Sequence, residues 1–181
     1  MFRSADDETL ARLAINNPDA FSELYTRYLG RVYGYLFTRV GNTQDAQDLT
    51  AQTFLTVVEN LPAYRGQGTF AGWILSIAHH KLVDYFRSRR DETDLDQAGA
   101  LPFPAPTPEE EVALKLDLET AARAIQALLP DRAEALTLHL FGEMSAAEIG
   151  LLMDRSEEAV RMLIYRALRD LREQLCEVQR L

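Results

Sequence analysis

The sequence predicts an all-α protein made of two small helical domains joined by a flexible linker. Apolar residues recur at helical spacing on both sides of the middle of the chain, and we find no convincing alternating pattern of the kind that strands show. Between the two helical regions, residues 93–111 hold four of the seven prolines. Proline removes a backbone donor and clashes with the preceding turn, so this stretch cannot continue a helix. We therefore assign domains to residues 1–92 and 112–181, and a linker to residues 93–111.

The first domain is predicted to contain four helices, the first of them short. Asn17 followed by Pro18 marks the start of the second helix, because Asn caps a helix and Pro fits its first turn. That helix keeps its apolar residues on one stripe over residues 21–40. Thr43 is the expected cap of the third helix, and residues 69–90 form the fourth.

The second domain is predicted to end in a helix-turn-helix. A capping box at Thr107 begins a first helix, and Pro130 opens the next one. A second capping box, formed by Ser145 and Glu148, begins a short helix, and Ser156 caps a longer last helix after a brief turn. A short helix, a tight turn and a longer helix are typical of a DNA-binding helix-turn-helix, although a plain helical bundle has the same pattern.

The net charge of −9 is unevenly distributed along the chain. The linker holds five acids and no bases, which accounts for over half of that charge. Two helices are locally basic: the fourth helix ends in Arg87, Arg89 and Arg90, and residues 159–172 of the last helix hold four arginines and one aspartate. Because local patches decide where nucleic acid binds, the acidic total does not exclude DNA.

Other classes of function find little support in the sequence. A lone Cys176 excludes an intramolecular disulfide, and the adjacent histidines His79 and His80 cannot share a helix face, so a metal site is not expected. No apolar run is long enough to cross a bilayer, and no secretory signal is seen. We therefore expect no cofactor, no small-molecule substrate, no catalytic residues and no enzymatic activity, no direct membrane insertion, and a cytoplasmic location.

The fourth helix allows two interpretations. Phe70, Trp73 and Ile77 lie on one apolar stripe, and we expect Tyr85 and Phe86 to continue it. On the first interpretation this is a core helix whose last-turn cations complement the helix dipole. On the second, its cations and rings meet the phosphates and unstacked bases of nucleic acid.

Taken together, the two domains resemble a bacterial RNA polymerase sigma factor of the extracytoplasmic-function group, the kind that has only domains two and four. The resemblance covers nearly the whole chain outside the linker. In the first domain it rests on Ala20-Phe21, Leu24-Tyr25, Tyr28, the run from Asp45 to Leu49, Thr53-Phe54, Phe70, Trp73, Ile77-Ala78 and Asp84. In the second it rests on Leu129-Pro130, Glu148-Ile149, Ser156, Val160-Arg161 and Arg166-Ala167.

The resemblance implies a four-helix sigma domain two, a helix-turn-helix sigma domain four, and three functional surfaces. The third helix would bind core RNA polymerase through Asp45, Asp48, Leu49, Gln52 and Phe54. A loop and the fourth helix would open and read the minus-ten promoter element through Tyr64, Arg65, His80, Lys81, Asp84 and Arg87. The helix-turn-helix would read the minus-thirty-five element through Arg155, Ser156, Glu158, Ala159, Arg161, Met162 and Arg166.

The implied partners are core RNA polymerase, promoter DNA and an anti-sigma factor. This chain departs from the family pattern at Ala51-Gln52, at His80 and at Met162-Leu163. Two alternatives therefore stay open, a sigma-like decoy that binds an anti-sigma protein and a simple helix-turn-helix regulator. We also expect the two domains of the free protein to pack against each other, because both present apolar faces and a tether of this length keeps them close.

Overall fold

The computed structural model describes residues 2, 5–91 and 119–178, and side chains only as far as Arg89 and Gln174 at the ends of the two long segments. The predicted linker, the capping box at Thr107 and the side chain of Cys176 lie outside the described residues. Every regular element within the described ranges is helical, so the all-α prediction is confirmed.

The first domain is a bundle of four helices, as predicted. Asn17 accepts hydrogen bonds from the backbone N–H groups of Asp19 and Ala20, at 3.0 and 3.3 Å. Asn42 caps the third helix by accepting from Asp45 N–H at 3.0 Å. The prediction of Thr43 as this cap was wrong by one residue, because an asparagine side chain reaches the free N–H group equally well. The helices are α1 (Asp7–Ala14), α2 (Pro18–Val40), α3 (Thr43–Asn60) and α4 (Phe70–Asp91), with a 3₁₀ turn (Leu61–Ala63) after α3.

The second domain contains the predicted helix-turn-helix. Its helices are α5 (119–126), α6 (Pro130–Gly142), α7 (Ala146–Met153) and α8 (Glu157–Val178). The capping box predicted at Ser145 is present: its hydroxyl accepts from Glu148 N–H while the Glu148 carboxylate accepts from Ser145 N–H. Ser156 caps α8 by accepting from the backbone of Ala159 at 3.2 Å.

The two domains pack against each other through α2 and α4 on one side and α6 on the other. One buried apolar cluster runs through both domains and includes Leu36, Leu75, Leu138 and Ile149. A second cluster around Leu136 belongs to the helix-turn-helix domain alone. The arrangement agrees with the expectation that the domains associate. None of the helices in the described ranges combines the length and the apolar composition that crossing a bilayer requires.

Candidate nucleic-acid interface

One side of α3 presents polar groups to solvent. Asp45, Asp48 and Gln52 follow one another along this side, with Gln52 exposed and the two carboxylates half-buried. Leu55 continues the side and is 65% exposed. The sequence interpretation missed Leu55, although its position three residues after Gln52 is the signal that places it there. The four side chains form a continuous surface with two acids and one apolar group.

Leu49 and Phe54 lie in the core rather than on this surface. They are 5% and 6% exposed, and the ring centroids of Phe54 and Tyr25 are 4.6 Å apart. Both residues belong to the side of α3 that packs inside the first domain. In this structure they support the exposed side of α3 from beneath, and their direct contact with a partner stays a prediction.

Asp45 connects α3 to α4. The hydroxyl of Tyr85 donates a hydrogen bond to Oδ2 of Asp45 at 2.6 Å, and Nη1 of Arg89 lies 3.4 Å from the same oxygen. Burial and the hydrogen bond to Asp45 raise the pKa of Tyr85 to about 12. The tyrosine therefore stays a neutral donor at ordinary pH, and the polar side of α3 is fixed relative to the C-terminal half of α4.

The outward side of α4 carries the residues predicted for melted DNA. His80, Asp84 and Arg87 are exposed, and Lys81 is half-buried at the edge of the same side. Nδ1 of His80 lies 2.6 Å from the carbonyl oxygen of Ser76. A carbonyl oxygen only accepts, so Nδ1 carries the proton and a neutral His80 turns its Nε2 acceptor to solvent.

Phe86 also faces outward, which corrects the expectation that it continues the apolar stripe. Its side chain is 39% exposed, whereas Tyr85 is half-buried and bonded to Asp45. Successive helical residues point about 100° apart, so the two rings cannot lie on one face. Val83 is exposed on the same side as Phe86. Val83 and Phe86 therefore form an exposed apolar strip that borders the cation-bearing side of α4.

The loop before α4 is built on an aromatic cluster. The ring of Tyr64 lies 4.9 Å from that of Trp73 and 5.4 Å from that of Phe70, centroid to centroid. Gly66 and Gly68 have φ angles of 68° and 77°, a region that glycine adopts without strain. Burial, followed by the nearby carboxylates of α1, raises the pKa of Tyr64. The half-buried Trp73 is thus part of the support of the loop, in agreement with its interpretation as a packing residue.

Arg65 is the exposed cation of this loop. Its Nη1 donates to the backbone carbonyl of Pro62 at 3.0 Å, which holds the side chain along the loop without neutralising its charge. The residues predicted for the minus-ten element thus lie on two adjoining elements, Tyr64 and Arg65 in the loop and the others along α4.

The turn of the helix-turn-helix depends on a close backbone approach. A Cβ atom on Gly150 would lie 2.7 Å from the carbonyl oxygen of Arg155, so a larger residue would push the turn apart. Asp154 follows α7 with a φ of 53°, in the left-handed region that Asp tolerates better than most residues. This tight turn orients the first residues of α8 away from the body of the domain.

Most residues predicted for the minus-thirty-five element are exposed at the start of α8. They are Arg155, Ser156, Glu158, Arg161, Met162 and Arg166, whereas Ala159 is half-buried.

Two of these arginines have carboxylate partners. Arg161 lies 2.5 Å from Glu157, one turn earlier on α8, and Arg155 lies 3.3 Å from Asp131 on α6. The surface therefore offers fixed donors and acceptors of both signs.

Two family models match the regions that hold these surfaces. The model of Sigma-70 region 2 matches residues 24–92, and the model of Sigma-70, region 4 matches residues 118–171. RNA polymerase sigma factor CarQ of Myxococcus xanthus is 33% identical over 170 residues, which cover 89% of this chain and 92% of CarQ. The chain belongs to the sigma-70 family. ECF RNA polymerase sigma factor SigF of Caulobacter vibrioides is 31% identical, and the match covers 94% of this sigma factor and 96% of SigF. This similarity agrees with membership of the extracytoplasmic-function group.

A further relative is longer than this sigma factor. ECF RNA polymerase sigma factor BldN of Streptomyces coelicolor is 32% identical over 91% of the chain, and the match spans 63% of the length of BldN. Two solved structures share the fold. CnrH, in complex with the cytosolic domain of CnrY, has a TM-score of 0.66 at 24% identity, covering 94% of this chain and 97% of CnrH. RpoE of Bartonella quintana, in complex with the anti-sigma factor NepR, has a TM-score of 0.66 at 18% identity. The match covers 86% of this chain and 96% of RpoE.

Sequence reasoning missed one large exposed ring on the helix-turn-helix of this sigma factor. Tyr165 is 63% exposed on α8, one turn after Arg161 and Met162. Tyr165 lies three residues after Met162 and four residues after Arg161, and this helical spacing could have identified it from the sequence. Its position extends the candidate minus-thirty-five surface by one helical turn.

Proposed function

We propose that this sigma factor binds core RNA polymerase and directs it to promoters. The exposed side of α3 docks on the polymerase, the loop and the outward side of α4 open and read the minus-ten element, and the start of α8 reads the minus-thirty-five element. The observation that carries this proposal is the presence of two separate exposed cation-bearing surfaces, one on each domain, in a chain of this family.

The polymerase-docking role of α3 is supported by its neighbours. Asp48, Gln52 and Leu55 offer an acid, an amide and an apolar group in one row. Asp45 is held by Tyr85 of α4, so a partner on α3 would be positioned relative to the DNA-binding helix. The surfaces that dock on polymerase and open DNA would then belong to one rigid unit.

The minus-ten role of α4 is supported by its mixed outward side. Lys81 and Arg87 supply positive charge for phosphates, while Phe86 offers a ring face on which an unstacked base can rest. Opening the duplex costs a few kcal/mol for each unstacked base, and such contacts offset that cost only after melting.

The minus-thirty-five role of α8 is supported by the placement of its first turns beyond the tight turn at Gly150. Arg161 can donate to the O6 and N7 acceptors of guanine, and Glu158 can accept from the amino group of cytosine. Ser156 caps α8 by accepting from the N–H group of Ala159, so only the other free N–H groups at the start of α8 are available to a phosphate.

We further propose an anti-sigma partner and a cytoplasmic site of action, with binding rather than catalysis as the activity. Proteins that share this fold have been solved with such partners, as RpoE of Bartonella quintana with NepR. A direct binding experiment would identify the anti-sigma partner of this chain.

A run-off transcription assay with core polymerase and a library of genomic promoters tests the main proposal. We expect promoter-specific initiation with the wild-type chain and its loss with Asp48→Lys, while the matched surface change Glu173→Lys on α8 retains it. Absence of stimulation at every promoter would reject the sigma role. Tight binding of an anti-sigma protein without polymerase affinity would select the decoy, and specific DNA binding without polymerase would select the simple regulator.

A further inference from the structure

Glu134 of α6 is a charged residue buried at the contact between the two domains. It is 7% exposed, yet it lies on the side of α6 that faces the first domain rather than in the separate core of the helix-turn-helix domain. A buried carboxylate needs partners that replace water. Among the described residues, the hydrogen-bond and ion-pair partners of its carboxylate all come from the first domain.

Three side chains of the first domain converge on this carboxylate. The hydroxyl of Tyr35 donates to Oε1 at 2.6 Å, and Nδ1 of His79 lies 2.8 Å from the same oxygen. Nε of Arg39 lies 3.1 Å from Oε2, close enough for an ion pair although its angle is not that of a hydrogen bond. α2 and α4 thus both hold one residue of α6.

The charge state of Glu134 depends on this contact. Burial alone would raise its pKa, but the hydrogen bond to His79 and the charge of Arg39 outweigh burial and lower the pKa. The ionised carboxylate is therefore stabilised while the domains are together. When the domains separate, water can replace these partners, while the apolar cluster that the two domains share must open with them.

A second set of contacts fits closely beside this network. A Cβ atom on Gly34 of α2 would lie 2.6 Å from the ring of Phe141 at the end of α6, so only glycine admits that ring. Arg31 donates to the carbonyl oxygen of Phe141 at 2.8 Å and lies 3.3 Å from the Glu143 carboxylate.

The same packing places the second domain beside the loop assigned to the minus-ten element, although Arg65 stays exposed. A Cβ atom on Gly68 would lie 3.2 Å from the carboxylate of Glu148, in the first turn of α7, and one on Gly72 would lie 3.6 Å from the side chain of Met144. The start of the helix-turn-helix therefore occupies the space next to the loop and the first turn of α4. Glu148 also brings a negative charge to the place where phosphate would approach.

The packed arrangement is also too small to bind both promoter elements together. The elements are about 25 base pairs apart, which is about 85 Å along B-DNA. A compact chain of 181 residues has a radius of gyration of about 16 Å. Residues 92–118 connect the domains and can extend to at most about 90–97 Å. Promoter binding thus requires the domains to separate, and the connection is long enough for it.

We propose that Glu134 is the latch of an autoinhibited state, in which the helix-turn-helix domain stays packed beside the minus-ten loop and the chain cannot reach both promoter elements until the two domains separate. The inhibitory part rests on the proposed function, whereas the latch itself does not. The surface of the first domain around Arg39 and His79 is occupied by the second domain of the same chain.

The test uses the full-length chain with two variants that weaken the contact differently. Glu134→Gln removes the charge that Arg39 and His79 hold, and Gly34→Ala places a methyl group against Phe141. Alanine favours a helix interior over glycine, so the second variant keeps α2 intact. Glu173→Gln, which removes an exposed carboxylate of α8, is the matched control.

Small-angle scattering on the free proteins, without polymerase, measures how far the two domains are packed together. We expect the ratio of closed to open molecules to fall roughly tenfold to a hundredfold for Glu134→Gln, in line with the strength of hydrogen bonds to charged groups. The double variant Glu134→Gln/Gly34→Ala should show a clearly larger radius of gyration, with unchanged helical content by circular dichroism. A double variant as compact as the control would overturn the latch.

The rate of promoter association in the presence of core polymerase measures the inhibition of promoter binding. The two single variants should form promoter complexes several-fold faster than the control, with the double variant fastest. Expansion in scattering without faster association would overturn the inhibitory role. If even the wild-type chain gives no polymerase-dependent complex, the proposed function fails, and the scattering result still decides the latch.

Discussion

The helices α4 and α8 have the same length, 22 residues, and both expose cations, but their outward sides differ in what surrounds those cations. On α4, Phe86 is exposed beside Arg87, and in the described part of the chain no carboxylate lies within 4 Å of the charged groups of Lys81 or Arg87. On α8, Arg161 is held by Glu157 at 2.5 Å.

This difference teaches how two helices of one chain can suit two forms of DNA. Cations that no described carboxylate holds, with a ring nearby, fit flexible single strands, where phosphates vary in position and bases expose their faces. An arginine paired with a carboxylate has a preferred direction, which suits the fixed donors and acceptors of a duplex groove. The predictions below test this contrast.

The largest effect is expected from Lys81→Glu on α4. The change removes an attraction to phosphate and adds a repulsion, which together should cost about 3 kcal/mol, or about a hundredfold in open-complex formation. Permanganate footprinting of the promoter measures the opening. Polymerase binding, measured by pulldown, should be retained because α3 is unchanged.

Arg12→Glu is the matched control, since Arg12 is an exposed cation on α1 outside both DNA-facing surfaces. It should open promoters at the wild-type level. If Lys81→Glu opens them equally well, α4 does not contact the melted strand through this residue.

A smaller effect is expected from Phe86→Ala, which removes the exposed ring of α4. Base stacking on an aromatic side chain contributes about 1–3 kcal/mol, so opening should fall about tenfold. The free energy of unfolding should fall less than for a core phenylalanine, because the ring is 39% exposed. Fluorescence of 2-aminopurine placed in the minus-ten element reports the stacking directly.

Tyr165→Ala is the counterpart on α8, because Tyr165 is also an exposed ring. It should leave opening unchanged and affect only duplex binding. Equal losses of opening in the two variants would remove the distinction between the helices.

Arg161→Ala on α8 should act at one position of the duplex. Loss of a bidentate contact to guanine costs about 1–3 kcal/mol at the base pair it reads and relaxes the preference there. Competition binding with minus-thirty-five elements substituted at each base pair measures this. A uniform loss at every position would instead identify Arg161 as a phosphate contact.

The helical pattern predicted most of the fold and a large part of the candidate surfaces. Start signals such as Asn17 and the Ser145 capping box are local, so they are readable without tertiary structure. The hydrophobicity of Phe86 predicts a place on the apolar stripe, whereas its helical angle turns it away from Tyr85 and toward solvent. Leu49 and Phe54 were assigned by resemblance, which transfers a role without showing which side of α3 each residue occupies.

The contact between the domains could not be predicted residue by residue. Nothing in the sequence near Glu134 indicates Tyr35 or His79 as its partners, because they come from two other helices, α2 and α4. Periodicity marks a side chain as inward or outward within one helix. It cannot identify which outward sides of two domains will meet.

The smallest effect, and the finest test of the contrast between α4 and α8, is expected from Glu157→Gln. The change frees Arg161 from its partner and removes a negative charge near phosphate, while an exposed pair at this spacing stabilises a helix by only about 0.3–0.5 kcal/mol. Overall duplex affinity should therefore rise about twofold, more at low salt than at high salt. Discrimination at the base pair read by Arg161 should fall at the same time, because the freed guanidinium can reach phosphates as well as the guanine edge. Affinity titrations on matched and substituted elements at two salt concentrations separate the two effects. A rise in affinity with unchanged discrimination would show that Glu157 does not orient Arg161, and the difference between the two helices would then be one of charge alone.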